Sequence, residues 1–403
     1  MIHLGSEFSV LDDKENCIMQ AECLQDLLEW TDGTEKYEKD LLKKTGAYNE
    51  IIIFGAGIGG RQTLEILKKH NEGEKVKAFC DNNECKIGND YLELPVISAE
   101  KIEDKFCHAL VLISSTAYDI IKEQLLKLGH KETDLYFFQP AGISLDGNCD
   151  MTFIKTNIKK YDAVYHQLND EKSKQIYRCI LNYRITKENR WLEEMRDVVD
   201  KEEDQYFDKK LLKDYSFEDG FVDAGAYVGD TAVSFFHHYP DWAGNYYCFE
   251  AEKNIYSDLN KNLLKNFGQD RKIVAYNYAL WDKEEKQKLV LGDAGSRIGG
   301  VEGVEVNCCT LDKKLADRDI TFIKMDIEGA EKKALLGAAD IIKRSKPILA
   351  ICIYHKREDF FEIPLLIDEM VTGEYTFYVR QYRYGQSETV LYALPRTRKI
   401  MSD

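Results

Sequence analysis

The stretch FVDAGAYVGDTA, residues 221–232, is the part of the chain that decides the fold. It begins as an apolar strand and passes through Gly225 and Gly229 immediately before a predicted helix, which Asp230 or Thr231 can cap. Glycine lets the backbone turn sharply and approach a ligand without a clash from Cβ. The pattern predicts a strand, a ligand-binding turn and a helix of a parallel α/β sheet.

A carboxylate follows this turn at the spacing that an adenosine ligand requires. Glu250 ends the next predicted strand, YYCFE, and lies 21 residues after Gly229. At this spacing an acidic side chain commonly reaches the two hydroxyls of a ribose. The combination favours a cofactor site. The alternative is a tight strand-to-helix turn followed by a solvated glutamate.

Strands and helices alternate on both sides of this turn, which is typical of parallel α/β domains. The region between 150 and 215 has helical spacing of its apolar residues and contains neither glycine nor proline, so it predicts a helical connector. The strands predicted before it are 51–54, 76–80 and 109–113, with a helix at 61–70 and a domain end near Gly142. Those predicted after it are 221–222, 246–249, 273–276, 320–325, 348–354, 375–382 and 389–394, the last two forming a hairpin around Gly385.

The composition limits the class of protein. With 71 acidic and 55 basic side chains the formal charge is −16, which disfavours nucleic acid as a partner. No apolar run is long enough to span a bilayer and no secretory signal is evident, so we predict a cytoplasmic location. The cysteines show no C-x-x-C spacing, which predicts reduced thiols. Cys308 and Cys309 lie in a strand-like run, where one is expected to face inward and the other outward.

The run ITFIKMDIEGAEKKALLGA, residues 320–338, resembles the signature of the FkbM family of methyltransferases. FVDAGAYVGDT, FEAEKN and the Ala279–Leu280 segment add to the resemblance, which covers roughly residues 219–395. It implies S-adenosylmethionine as the methyl donor and a hydroxyl, often on a sugar or secondary metabolite, as the acceptor. Tyr227 departs from the asparagine that is common in the family. The donor-binding residues implied are Asp223, Gly225, Ala226, Tyr227, Gly229, Asp230, Glu250, Ala279 and Leu280.

The first domain contains IIIFGAGIGGRQ, followed by AFCDNNECKIG and LPVIS, and is similar to the small domain at the front of bacterial nucleotide-sugar acyltransferases. Gly55, Gly57 and Gly60 fit G-x-G-x-x-G, and Asp81 follows 21 residues after Gly60. A diphosphate could rest on the helix N-terminus there. The alternative is a turn that keeps its glycines without a ligand.

Methyl transfer to a hydroxyl requires a group that accepts the proton, and the candidates are Asp326 and His355. Both follow predicted parallel strands, so both should emerge at the carboxyl edge of the sheet, where ligands bind. Asp326 could instead cap a helix that begins at Glu328. His355 lies in a charged run and could equally be a surface residue.

Lys324 and Glu328 are further candidates, as substrate contacts. A lysine in a central strand needs a partner such as Asp223, unless its stem carries the ammonium to the strand end. Glu328 and Glu331 could bind a divalent ion with Asp326, but acids in the first turn of a helix are favoured by its dipole, so no metal site is predicted. Tyr382, Arg383 and Tyr384 could line an acceptor pocket or pack across the hairpin.

The sequence thus predicts an α/β protein with two Rossmann-like domains joined by a helical connector. Its segments are 1–48 (helical), 49–149 (nucleotide-binding type), 150–215 (connector) and 216–398, a class I methyltransferase sheet with a terminal antiparallel hairpin. The predicted function is O-methylation of a glycan, nucleotide sugar or related metabolite by S-adenosylmethionine. The alternatives are a non-catalytic binding or assembly module and, less favoured, a nicotinamide-dependent enzyme in the first domain.

Overall fold

The computed structural model describes residues 23–138, 140, 149–199, 204–215, 218–268, 272–291, 296–299 and 302–398. These residues form a six-stranded sheet, a seven-stranded sheet and a smaller four-stranded sheet. Helices pack against the two large sheets, whose strands are mostly parallel. The predicted fold class, two Rossmann-like α/β units joined by helices, is confirmed.

The first unit is built on the predicted strands 51–54 and 76–80, which the structure reproduces. Its sheet order is β3-β4-β2-β1-β5-β6, and only β3 runs antiparallel. The helix predicted from Arg61 begins earlier, at Ile58. Gly60, in its first turn, lies close to the residue that follows β1, since a Cβ there would lie 2.0 Å from the carbonyl oxygen of Gly55. The predicted domain end near Gly142 lies outside the described residues.

The elements of the first unit are α1 Leu24–Leu27, α2 Thr34–Thr45, β1 Ile51–Phe54, α3 Ile58–Lys69, β2 Val76–Cys80, β3 Asp90–Tyr91, β4 Leu94–Ile97, α4 Glu100–Phe106, β5 Leu110–Ile113, α5 Tyr118–Lys127 and β6 Leu135–Phe137.

The predicted connector is helical, but it is part of the core and not an exposed linker. Eleven of the sixteen residues of its longest helix are buried, and one continuous apolar cluster joins this helix to both large sheets. Asp170 caps the helix through the backbone N–H of Ser173, and its other oxygen accepts from Arg380 of the second unit at 2.7 Å. The helices are α6 Met151–Thr156, α7 Ile158–Gln167, α8 Glu171–Thr186, α9 Arg190–Arg196 and α10 Lys209–Leu212.

The second unit has the sheet order β16-β17-β15-β14-β7-β8-β9, in which β14 lies beside β7. The five adjacent strands from β15 to the edge strand β9 are parallel, while β17 pairs antiparallel with both β15 and β16. The predicted terminal hairpin is therefore confirmed. The elements are β7 Gly220–Ala224, α11 Asp230–His238, β8 Asn245–Phe249, α12 Lys253–Phe267, β9 Ile273–Tyr276, β10 Ala279–Leu280, β11 Lys286–Val290, β12 Arg297–Ile298, β13 Val304–Cys309, α13 Leu311–Lys314, β14 Phe322–Met325, α14 Glu331–Leu336, α15 Ala339–Ser345, β15 Ile348–Cys352, α16 Asp359–Met370, β16 Tyr375–Gln381 and β17 Thr389–Pro395.

The small sheet, ordered β10-β13-β11-β12, was not predicted, because β10 and β12 contain two residues each and three of the five residues of β11 are polar. It also corrects the expectation for the two adjacent cysteines, one of which was expected to face outward. Cys308 and Cys309 point to opposite sides but are both buried, because the small sheet encloses an apolar cluster around Cys308 while Cys309 joins the main core.

None of the helices in the described residues is long and apolar enough to cross a membrane.

Candidate active site

The carboxyl ends of β7, β8 and β14 border a cavity of about 660 Å³. It collects most of the residues predicted for the site: Gly225, Tyr227, Asp230, Glu250, Ala279, Leu280, Lys324, Asp326 and Glu328. Arg383, predicted as a possible acceptor-pocket residue, also lines it. The lining further includes residues that the sequence did not indicate, among them Gln205, Tyr206, Glu252, Tyr278, Ser296 and Glu388.

The glycine loop after β7 is held in a conformation that demands glycine. Gly225 has φ +75°, and a Cβ there would lie 1.9 Å from the carbonyl oxygen of Asp326, so the loop touches the end of β14 directly. Gly229 has φ +90° and occupies the N-cap position of α11. The expectation that Asp230 or Thr231 caps this helix is wrong, because the helix already begins at Asp230 and no side chain caps it.

Glu250 binds the same loop from the end of β8. Its Oε2 accepts a hydrogen bond from the backbone N–H of Tyr227 at 3.1 Å, and its Oε1 accepts from the backbone N–H of Glu252 at 2.8 Å. Burial raises the pKa of Glu250 above the ordinary range of a glutamate. Each carboxylate oxygen keeps a further lone pair for a hydroxyl donor in the cavity.

Lys324 pairs with Asp223 on the adjacent strand, as predicted. The Nζ–Oδ1 distance is 3.0 Å, and both side chains are almost completely buried, so a carboxylate neutralises the ammonium, which is not carried along its stem to water at the strand end. Nζ also donates to the carbonyl oxygen of Gly225 at 2.8 Å. Burial opposes the charge of Lys324, but Asp223 raises its pKa above the ordinary value.

This pairing corrects the role expected of Asp223 as a donor contact. Its second oxygen accepts from the hydroxyl of Tyr246 at 3.0 Å, and its side chain is fully buried beneath the loop. Ala226 is likewise fully buried. Both residues pack beneath the loop and do not line the cavity. The loop residues Gly225 and Tyr227 line it.

Asp326 follows β14 and faces the cavity, where three groups surround its carboxylate. The hydroxyl of Tyr206 donates to Oδ2 at 2.8 Å, the hydroxyl of Tyr354 donates to Oδ1 at 3.4 Å, and Nε2 of His355 lies 3.2 Å from Oδ1. Burial would raise the pKa of Asp326, but His355 and Lys324 hold it well below its ordinary value. The helix-cap alternative is wrong, because α14 begins at Glu331 with Ala330 at the N-cap position.

His355 is buried, with 3% of its surface exposed, so the alternative of a surface histidine is wrong. Its Nδ1 lies 2.9 Å from Oε1 of Glu331, and its Nε2 lies 3.6 Å from Oε2 of Glu328. Burial would lower the pKa of His355, but Glu331 and Asp326 raise it well above its ordinary value.

Glu328 precedes α14, whereas Glu331 lies in its first turn. Stabilisation of an acidic side chain by the helix dipole therefore applies to Glu331 but not to Glu328. Glu328 has φ +55°, an uncommon value for a residue with a side chain. Burial, together with the negative charge of Asp326, raises its pKa to about 7. A carboxyl group with this pKa can exchange a proton near neutral pH.

In the first unit, too, an acidic side chain accepts a hydrogen bond from the backbone of the glycine loop, but here a lysine pairs with that acid. Gly55 has φ +117°, and Oδ2 of Asp81 accepts from the backbone N–H of Ala56 at 2.9 Å. Nζ of Lys86 lies 3.0 Å from the same carboxylate oxygen and donates to the carbonyl oxygen of Ala56. A Cβ on Gly57 would meet nothing within 4 Å.

The turn of the terminal hairpin binds the first unit. Tyr384 packs against Tyr118 and Phe137, and its backbone N–H donates to the carbonyl oxygen of Thr116. The hydroxyl of Tyr382 lies 2.6 Å from that of Tyr392 in β17, as the cross-strand alternative predicted. The expected acceptor-pocket role fits Arg383 best, because Arg383 lines both the large cavity and a second one of about 430 Å³ between the two units.

Residues 223–384 match the model of the methyltransferase FkbM domain. This stretch is similar to FkbM methyltransferase domains. Residues 47–135 match a different model, the C2185-like N-terminal domain, so the resemblance of the first unit to nucleotide-sugar acyltransferases is not supported by this match and stays a prediction. A comparison with curated proteins finds no match.

One solved structure extends the similarity beyond residues 223–384. The crystal structure of a methyltransferase FkbM from Methylobacillus flagellatus aligns with a TM-score of 0.60 and 21% identity, over 88% of this chain and 93% of that one. The two chains therefore share a fold over both units and the connector. An rRNA methylase from Streptococcus thermophilus aligns with a TM-score of 0.31 and 14% identity, over 47% of this chain and 91% of that one. An SAH-bound methyltransferase from Podospora anserina aligns with a TM-score of 0.27 and 10% identity, over 44% and 71%.

Proposed function

We propose that the protein transfers a methyl group from S-adenosylmethionine to a hydroxyl of a glycan, nucleotide sugar or related small metabolite. The observation that carries the proposal is that the glycine loop and the acidic residues after β14 border one cavity. A donor on the loop and an acceptor beside Asp326 would thus be held within reach of each other, and such positioning supplies much of the acceleration of a displacement reaction.

The donor half of the proposal rests on the loop and Glu250. Glu250 would accept hydrogen bonds from the two ribose hydroxyls with the lone pairs that Tyr227 and Glu252 leave available. Ala279 and Leu280 would border the adenine, since they form an apolar wall of the cavity. The negative charge around the cavity suits the positive sulfonium of the donor.

The acceptor half rests on Asp326 and its neighbours. The backbone carbonyl of Asp326 lies against Gly225, which places this residue beside the loop. An ionised Asp326 would accept a hydrogen bond from the acceptor hydroxyl and orient it. Glu328, whose pKa is about 7, is the better matched proton acceptor, while His355 would keep Asp326 ionised.

The acceptor class is proposed from chemistry and from the first unit. Arg383 and the tyrosines beside it border the cleft between the units, where polar and aromatic groups could hold a hydroxylated ring. The first unit would contribute to binding a nucleotide sugar if its glycine loop holds a diphosphate. A cytoplasmic location is part of the same proposal.

The decisive experiment is turnover of S-adenosylmethionine to S-adenosylhomocysteine in the presence of a panel of nucleotide sugars and oligosaccharides. We expect acceptor-dependent formation of S-adenosylhomocysteine, with the methyl group recovered on an acceptor oxygen. Donor binding by calorimetry without turnover on any acceptor would favour the non-catalytic binding module. No donor binding by the folded protein would contradict both.

A further inference from the structure

Tyr206 lies in the segment before α10 and reaches the acceptor end of the cavity. Its hydroxyl donates to Oδ2 of Asp326 at 2.8 Å, and the residue lines the cavity although it is buried. Nε2 of Gln205 donates to the same hydroxyl at 2.9 Å, and Sγ of Cys352 lies 3.4 Å from it. Because the hydroxyl accepts from Gln205 while it donates to Asp326, the hydrogen bond to Asp326 has a fixed direction.

The backbone of Tyr206 is strained, with φ +73° in the left-handed region. Residues with a side chain are uncommon there, and such strain persists only where the surrounding structure imposes it, often at functional sites. The strain is concentrated around this cavity. Of the nine described residues other than glycine with positive φ, four line it: Tyr206, Tyr227, Glu328 and Glu388.

The two residues that follow Tyr206 are anchored in the second unit. The ring of Phe207 packs against that of Phe235, with 5.6 Å between their centres. The carboxylate of Asp208 accepts from Nε of Arg380 at 3.1 Å. The strained conformation therefore falls on the one residue of this segment whose hydroxyl reaches Asp326, and the neighbouring contacts hold it there.

The two carboxylate oxygens of Asp326 have different surroundings. Oδ1 lies 3.2 Å from Nε2 of His355 and accepts from the hydroxyl of Tyr354 at 3.4 Å. Among the described residues, Oδ2 accepts from Tyr206 alone, so it keeps a lone pair for a further donor. The hydroxyl of a bound acceptor would donate to that lone pair, and the hydrogen bond from Tyr206 determines where it points.

On the basis of the proposed function, we propose that Tyr206 is a positioning residue: it holds Asp326 in the orientation that binds the acceptor hydroxyl. Tyr206 acts through Asp326 and takes no proton from the acceptor. It precedes residues 223–384, the stretch that matches the FkbM domain model. The segment before α10 is then part of the active site and not only a connection between the two units.

The test removes the hydroxyl of Tyr206 alone. Phenylalanine keeps the ring, whose centre lies 5.2 Å from Nζ of Lys324. We expect Tyr206→Phe to lower kcat by about 10–100-fold, the effect of losing a hydrogen bond to a charged group, at unchanged donor affinity. In the full-length protein, kcat is measured as formation of S-adenosylhomocysteine with an acceptor, and donor affinity by calorimetry.

A second measurement asks whether Tyr206 acts through Asp326. If it does, Tyr206→Phe should lower turnover much less in Asp326→Asn than in the wild type, because the charge that the hydroxyl orients is already absent. A merely structural role for Tyr206 would lower turnover by the same factor in both backgrounds. Such additive losses would overturn the positioning role.

Tyr375→Phe is the matched control. Tyr375 is also buried, and its hydroxyl donates to the carbonyl oxygen of Pro347 at 2.8 Å, but it does not line the cavity. Its turnover should equal that of the wild type. Wild-type turnover in folded Tyr206→Phe would overturn the inference and leave the proposed function standing, whereas a wild type without turnover on any acceptor would overturn both.

Gln205→Ala serves as the second variant if Tyr206→Phe does not fold. Gln205 is only half-buried, and its removal takes away the group that fixes the direction of the Tyr206 hydroxyl. Lower turnover at unchanged donor affinity would support the positioning role. Wild-type turnover in Gln205→Ala would then overturn it.

Discussion

The two glycine loops of the molecule share one construction and differ in what surrounds it. In each, the acid at the end of the next strand accepts from a backbone N–H of the loop: Asp81 from Ala56 and Glu250 from Tyr227. In the first unit Lys86 pairs with that acid. In the second, no lysine or arginine of the described residues lies within ion-pair distance of Glu250, and the cavity opens beside it.

This difference teaches that a glycine pattern with an acid downstream specifies a turn but not a ligand. Near the second loop, Lys324 lies below the loop and neutralises the charge of Asp223. It does not pair with Glu250, whose carboxylate therefore stays available to a ligand. The lysine of the first loop binds both the acid and the loop carbonyl, so a ligand there would have to displace or share Lys86. Four predictions test the contrast.

The largest effect is expected from Gly225→Val. Its Cβ would lie 1.9 Å from the carbonyl oxygen of Asp326, and φ at this position is +75°, so donor binding should be abolished. Gly57→Val is the matched variant, because its Cβ meets open space, and it should bind the donor as the wild type does. Calorimetry with S-adenosylmethionine, alongside circular dichroism to verify folding, gives the result. Loss of donor binding in folded Gly57→Val would mean that the loops serve one shared site.

Asp326→Asn should lower turnover by about 10²–10⁴-fold, the range typical of groups engaged in proton transfer and its orientation. Donor affinity should stay unchanged, because Asp326 faces the acceptor side of the loop. Asparagine preserves the size of the side chain and removes its charge. Rate constants and donor affinity measured on the same preparation check this. A variant with wild-type turnover and a lower melting temperature would assign Asp326 to structure alone.

Lys324→Met should lower the free energy of unfolding by about 3–5 kcal/mol, because it leaves Asp223 buried without its cation. Lys86→Met, its counterpart in the first unit, should cost less than about 1 kcal/mol, since the Lys86 side chain is 42% exposed. Urea unfolding of both variants measures the contrast. Equal losses would contradict the different burial of the two ion pairs.

Glu250→Ala should weaken donor binding by about 1.5–3 kcal/mol, the usual contribution of hydrogen bonds to a charged group. Asp81→Ala, the same change at the first loop, should leave donor affinity unaltered. Both affinities are measured by calorimetry on folded protein. If Glu250→Ala binds the donor like the wild type, Glu250 does not hold the ribose.

Much of the fold was predictable because strands buried on both faces are continuous apolar runs. Strands 51–54, 76–80 and 273–276 have the predicted bounds, and the terminal hairpin and the helical connector are present. The small sheet was missed because β11 and β12 are short and polar, so their sequence does not differ from that of a loop. The start of α14 was misplaced because Asp326 and Glu328 look like first-turn acids, although the chain first passes through a positive φ at Glu328.

The sequence by itself determined the two α/β units, the glycine loop, Glu250 and the presence of Asp326 and His355 at one sheet edge, because these follow from local periodicity and from strand direction. Only the tertiary structure decided which polar and charged side chains come into contact. Tyr206 reaches Asp326 across 120 residues of sequence, and Glu331 of α14 reaches His355, which lies in the turn after β15. The pKa of Glu328 likewise depends on the charges of His355 and Glu388, which are distant from it in sequence. Such contacts depend on how the units pack, and no local pattern encodes them.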